Sequence, residues 1–270
     1  MKSKKVGVKG FEPLTSSSRT KRATKLRHTP ISKNNLKHSL RIVNTYPENL
    51  VLRYRHAEKD KGKKKLVFGI VLYWIVYLSC FFLVEHVITE PKWIMHCALD
   101  DLIPYCKYFL VLYILWFPYI AFTITWYVLH ESEKSVISLM KRLGIPMMVT
   151  LLVYMLFPNG TDVRSKVVLD EGILSKGMEY LWATDPPNNV CPSIHVFVSI
   201  LLDHALCHTT KKNMYIIWIS HFLCAGILVS TVMLKQHSVI DVFGGILVAV
   251  VVLLYTKKQD SNAESCHICM

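Results

Sequence analysis

The chain has 270 residues, 52% of them hydrophobic, and carries a formal net charge of +13. That charge is not spread evenly: residues 1–65 hold 19 Lys/Arg against 4 Asp/Glu, and the remainder holds 13 against 15. Basicity therefore belongs to the amino-terminal tail, which argues against nucleic acid as a partner of the whole chain and suits an anchor beside anionic lipid.

In chain order, the stretch "GFEPLTSSSRTKRATKLRHTP" at 10–30 has little apolar content and no helical or strand period. It is read either as a disordered basic tail or, over the first 35 or so residues, as a gene-model artefact. The second reading follows because "GFEP" can be encoded around the TTCGA core of a transfer-RNA gene. Residues 1–60 are accordingly set apart as a tail, 61–258 as the functional domain and 259–270 as a short tail. No signal peptide is assigned, since no apolar core follows the basic residues directly.

From "KGKKK" onward, apolar runs of spanning length fall at about 66–88, 108–129, 137–157, 193–208, 214–234 and 237–255. A helix needs ~20 apolar residues to cross the hydrocarbon, so the expectation is an all-α integral membrane bundle of six transmembrane helices. The last two runs, joined near Lys235–Gln236, read as an antiparallel hairpin. Lysine and arginine concentrate in the segments 61–65, 130–142, 208–213 and 256–260. The positive-inside bias then puts both termini in the cytoplasm, and a bacterial plasma membrane is the expected location. The eight cysteines show no spacing pattern. Cys97, Cys106 and Cys191 could share one aqueous side, and the terminal "CHICM" holds a C-x-x-C but no prenylation box.

This topology brings "FPNGTDVR", "CPSIH" and "KQHSVID" to the same outer membrane face. His237 and Asp241 are spaced i,i+4, so they share a helix face. There the carboxylate can fix the imidazole tautomer and raise the nucleophilicity of the other nitrogen. "CPSIH" reads as a helix start, with free N–H groups suited to a phosphate. Ser193 would donate to that phosphate, and His195 could act as general acid. The competing reading is structural: a His–Asp pair between helices and a capped helix with an interfacial histidine. "NGT" at 159–161 fits a glycosylation acceptor, Asp100–Asp101 reads as a solvated acidic loop, and His221 as a packing residue.

"PSIH" plus "HSVID" on a six-span frame, with "FPNGTDVR" upstream, resembles the membrane branch of the type 2 phosphatidic acid phosphatases, a superfamily that includes inositol-phosphorylceramide and sphingomyelin synthases. The resemblance covers residues 66–255 and implies His237 as the nucleophile forming a phosphohistidine. It implies Asp241 as its orienting carboxylate, His195 as general acid, and Ser193 and Arg164 as phosphate ligands. The chain departs from the family pattern at four places: Phe157 stands in place of a lysine, Ser165 of a proline, Ile194 of a glycine and Thr231 of an arginine. Lys235, two residues before His237, is the candidate replacement for the lost positive charge, as a point charge rather than a fork.

The function expected is a metal-independent lipid phosphate phosphatase or phosphotransferase, with a lipid phosphate or pyrophosphate as substrate and membrane lipids as partners. Its active site lies at the extracytoplasmic surface, and no cofactor or metal is expected. The alternative is a catalytically silent lipid-binding or transport protein on the same fold.

Overall fold

A computed structural model describes residues 48–268, with side chains described for 62–257. The readings of residues 1–47 and of the thiols in the terminal C-x-x-C lie outside that range. Helices follow the apolar runs: α1 (Glu48–Val87), α2 (Ala98–Leu102), α3 (Leu110–Ile114), α4 (Trp116–His130), α5 (Glu133–Leu156), α6 (Ile173–Thr184), α7 (Ile194–Cys207), α8 (Met214–Met233) and α9 (Val239–Ile268). Among the described residues, five stretches are long and apolar enough to cross a membrane: Gly62–Val87, Lys107–His130, Glu133–Leu156, Met214–Met233 and Val239–Lys257.

The fourth expected span is the exception. At 14 residues and 1.5 Å rise, α7 is ~21 Å long, short of a hydrocarbon core of ~30 Å. Its missing length is supplied by irregular chain leading into Cys191–Ser193. Such backbone is tolerated at depth only where protein covers it, and Val190 and Ser193 are indeed buried. In α7, Val196, Phe197, Val198, Leu201, Leu202, Ala205 and Leu206 are all buried. Apart from His195, Ser199, Asp203 and His204 the helix is apolar, and α4, α5, α8 and α9 all pack on it. By contrast α1 leaves Phe68, Val71, Ile75, Phe82 and Leu83 exposed, as a lipid-facing helix does. It docks by a stripe of Tyr73, Tyr77 and Phe81, one turn apart.

Proline marks the local irregularities. The second span is broken at Leu115 between α3 and α4. Pro118 has no N–H to return to the Ile114 carbonyl, which weakens that turn. Pro146 leaves α5 continuous from Glu133 onward, so Lys141 and Arg142 lie inside a helix rather than before one.

The loops at one pole are stitched together. Trp93–Ile94 (β1) pairs in parallel with Asn159–Gly160 (β2), and Gly160 also bridges Asn188. A side chain at Gly160 would meet the Pro187 carbonyl at 2.6 Å, so this crossing demands glycine. Asn159 is buried. Its amide donates to the Phe157 and Cys191 carbonyls, and its oxygen accepts from the Val190 and Cys191 N–H groups. In the fold the Asn159 of the "NGT" triplet is thus a structural tie.

Candidate functional site

At the junction of α7 and α9 the predicted residues meet. Ser238 opens α9 with a reciprocal cap: its Oγ accepts from the Ile240 N–H at 3.2 Å, and its own N–H donates to Asp241 Oδ2 at 2.8 Å. This S-x-x-D box fixes Asp241 one turn into the helix and projects His237 just before it. His237 Nδ1 lies 3.5 Å from Asp241 Oδ2, beyond a formed hydrogen bond but within the looser range seen at catalytic pairs without substrate. The Ser193 N–H donates to the Asp241 carbonyl at 3.1 Å, which ties the start of α7 to α9. The packing there is close, since a Cβ on Gly245 would sit 2.8 Å from the Ser193 carbonyl.

His195 faces His237, with ring centroids 5.6 Å apart. It is held between two aromatic rings, Tyr113 at 4.5 Å and Trp116 at 4.3 Å. The Tyr113 hydroxyl donates to Asp185 Oδ2 at 2.9 Å, and the Gln236 amide donates to the same oxygen at 3.1 Å. Tyr113, Trp116 and Asp185 carried no motif signal, and each reaches the site through a separate element that only folding brings there. Gln236 lies within "KQHSVID", though the motif assigns it no role.

Arg164 arrives from the loop after β2. Its Nε donates to the Lys235 carbonyl at 3.3 Å and its Nη1 to the Asp185 carbonyl at 3.0 Å, and its guanidinium lies over the Trp182 ring at 5.5 Å. Burial pushes this guanidinium below its ordinary value, and the nearby Asp185 carboxylate works in the other direction.

Lys235 behaves differently from the expected phosphate ligand. Its backbone is left-handed, with φ of 57°, and its ammonium donates to the Asp100 and Ile103 carbonyls at 2.6 Å each. Two of its three protons are thereby committed. It lines a cavity of about 320 Å3 together with His96, Asp100, Asp101, Asp162 and Lys166. Burial lowers its affinity for a proton, and Asp100 and Asp101 offset part of that.

Asp100 is no solvated loop residue. It is buried, and its carboxylate accepts from the Ser238 hydroxyl at 2.6 Å, the Val239 N–H at 2.8 Å and the Cys97 N–H at 2.8 Å. Burial raises its proton affinity, but the Ser238, Val239 and Cys97 bonds prevail and hold the carboxyl below its ordinary value. A sequence signal was available: an acidic residue three positions into a short helix, where its first N–H groups need acceptors. The cysteines described are all free, so no disulfide joins Cys97, Cys106 and Cys191. Burial, with the Asp241 carboxylate alongside, pushes the Cys191 thiol up to about 12.

Four buried polar atoms at this junction have no hydrogen-bond partner: Ser193 Oγ, Gln236 Oε1, His237 Nδ1 and Asp241 Oδ1. Native proteins rarely leave such atoms unpaired, and clusters of them mark places where a polar ligand or ordered water belongs. No family model, curated protein or solved structure matches the chain.

Proposed function

We propose that the chain is an integral membrane phosphatase or phosphotransferase acting on a lipid phosphate or pyrophosphate through a phosphohistidine on His237. The observation that carries this reading is the group of unpartnered buried atoms around the His237–Asp241 pair, with a second imidazole 5.6 Å away. It agrees with the resemblance of "PSIH" and "HSVID" to the type 2 phosphatidic acid phosphatases.

In the proposed reaction the phosphate binds against the Ser193 hydroxyl and the first N–H groups of α7, where the helix end favours an anion. Arg164 adds positive charge. His237 Nε2 attacks phosphorus as Asp241 holds the proton on Nδ1. The N–P bond forms, the P–O bond to the lipid breaks, and His195 gives its proton to the departing oxygen. Water, or a lipid or sugar hydroxyl, then attacks the phosphohistidine, returns a proton to His195 and frees His237. Positioning and charge stabilisation carry most of the catalysis in phosphoryl transfer, and these residues supply both without requiring a metal.

The lysine and arginine bias puts this pole on the extracytoplasmic side and both termini inside. Short α7 counts as the sixth membrane segment, buried in the bundle rather than facing lipid. In a second reading the chain binds a lipid phosphate without turning it over; the 3.5 Å gap between His237 and Asp241 and the capping duty of Asp241 favour it.

One experiment separates the two. Purified protein in detergent is offered a panel of lipid phosphates in the presence of EDTA, beside His237→Ala. Phosphate release, or a base-stable and acid-labile phosphoprotein, seen in wild type and lost in His237→Ala supports the enzyme. Saturable lipid-phosphate binding with neither release nor phosphoprotein supports the silent binder.

A further inference from the structure

Away from the site, near the other end of α7, metal-ligating side chains from two helices converge. Asp203 and Cys207 are one turn apart on α7, and His221 reaches across from α8. Each presents one donor atom, and the three atoms lie within 4.8 Å of one another. His221 Nδ1 is 2.9 Å from Asp203 Oδ2, and its Nε2 is 3.9 Å from Cys207 Sγ. We propose that Asp203, Cys207 and His221 form a zinc site that clamps α7 to α8.

Spacing, donor chemistry and charge each support this. With Zn–S near 2.3 Å and Zn–N or Zn–O near 2.0–2.2 Å, donor atoms on one tetrahedral ion stand roughly 3.4–3.6 Å apart. One ring nitrogen of His221 serves the ion, and with it the three donor atoms lie within 4.8 Å of one another, so shifts on the order of 1 Å bring them to that spacing. Thiolate plus imidazole selects zinc over magnesium or calcium, which take oxygen ligands. A second thiol, Cys224, lies one turn beyond His221, within electrostatic reach of both Asp203 and Cys207, and keeps the surroundings soft. The Asp203 carboxylate and the Cys207 thiolate together balance the two charges of the ion, and the thiol proton leaves to solvent on binding. A site with no net charge is what a helix interface of low polarity tolerates.

The carboxylate is also pre-oriented. Asp203 Oδ1 accepts from the Ser220 hydroxyl at 2.6 Å, and that hydroxyl is itself 2.6 Å from the Tyr119 hydroxyl. Outer hydrogen bonds of this kind fix metal ligands. The His221 side chain is 43% exposed and stands two turns from the start of α8. A clamp here has a mechanical purpose. As α7 is too short to span by itself, fixing its far end to α8 holds the end that carries Ser193 and His195 at its depth.

The test uses the full chain purified in detergent. The terminal C-x-x-C could take zinc by itself, so the background carries Cys266→Ser and Cys269→Ser. Metal content is read by mass spectrometry after dialysis, and cobalt substitution is read by its thiolate charge-transfer band. The background protein is expected to hold about one zinc per chain, with water in the fourth position beside the three side chains. Cys207→Ser and His221→Ala should each lower that at least tenfold and abolish the cobalt band. Cys207→His, which returns a donor, should restore zinc without the band. Retention of zinc in a monodisperse Cys207→Ser protein, or its absence from the background, overturns the proposal and leaves Asp203–His221 as a hydrogen-bonded pair between helices. Metal content is read directly, so the result does not depend on whether the chain turns over lipid phosphates.

Discussion

Replacing Asp100 with alanine removes a carboxylate from beneath the loop that carries His237. Three donors lose their acceptor: the Ser238 hydroxyl and the N–H groups of Val239 and Cys97. Cys97 is only partly buried and can turn to water. The Ser238 hydroxyl is buried and the Val239 N–H is part-buried over the space the carboxylate vacates, and an unsatisfied buried donor costs about 1–3 kcal/mol, a part-buried one toward the lower end. The sum reaches about 4 kcal/mol. At roughly 2–4 °C per kcal/mol for a chain of this size, Asp100→Ala should melt about 8–16 °C below wild type in the same detergent. Asp100→Asn should fall between, since one oxygen still accepts while its NH2 opposes a donor.

The pH dependence follows from the direction of the Asp100 shift. A carboxyl held below its ordinary value contributes stability that is present above about pH 4 and lost as pH falls through the folded value. The gap between wild type and Asp100→Ala should therefore be constant from about pH 5 to 8 and shrink in stronger acid. A melting temperature for Asp100→Ala within about 2 °C of wild type at neutral pH would refute the reasoning, because it would mean that water replaces the carboxylate at no cost.

Asp241→Asn preserves an acceptor for the Ser238 N–H but cannot hold the His237 tautomer. Under the proposed reaction, phosphate release should drop on the order of 10²–10⁴-fold while the melting temperature stays near wild type. Gly245→Ala puts a methyl 2.8 Å from the Ser193 carbonyl and from Val196, so it should cost about 1–3 kcal/mol by overpacking and weaken binding of a lipid phosphate by moving α7 off α9. His96, whose proton affinity is raised by hydrogen bonds to Asp162 and Asp101, ties the β2 loop to the α2 segment. That tie is complete below about pH 6.5 and fades as pH rises through the raised value. The melting difference between wild type and His96→Ala should be largest near pH 5.5 and vanish toward pH 9; an unchanged difference across that range counts against the tie.

Much of this architecture is local in origin. Long apolar runs specify helices of spanning length wherever they occur, and α1, α4, α5, α8 and α9 follow them. The His237–Asp241 juxtaposition is expected from helical spacing, but His237 stands before α9, and the "SVID" cap rather than a shared helix face brings the pair to 3.5 Å. The limits of α7 are legible as well, since "CPSIH" reads as a helix start and the run 193–208 nearly coincides with Ile194–Cys207. What the sequence does not show is that Asn159 anchors the approach to it, its side chain binding Val190 and Cys191 from more than thirty residues away.

The same reason separates the two lysine and aspartate readings that changed. From sequence alone, Lys235 beside His237 and Asp100 in an acidic loop look like a free cation and a solvated anion. In the fold the ammonium is held by carbonyls of the α2 segment, and the carboxylate caps the start of α9. The sequence by itself determined which segments are helices and which residues share a helix face, since both depend on neighbours within one or two turns. Only the tertiary structure decided which buried donor meets which acceptor. In an apolar interior every such group must find a partner, and the partner can come from any part of the chain.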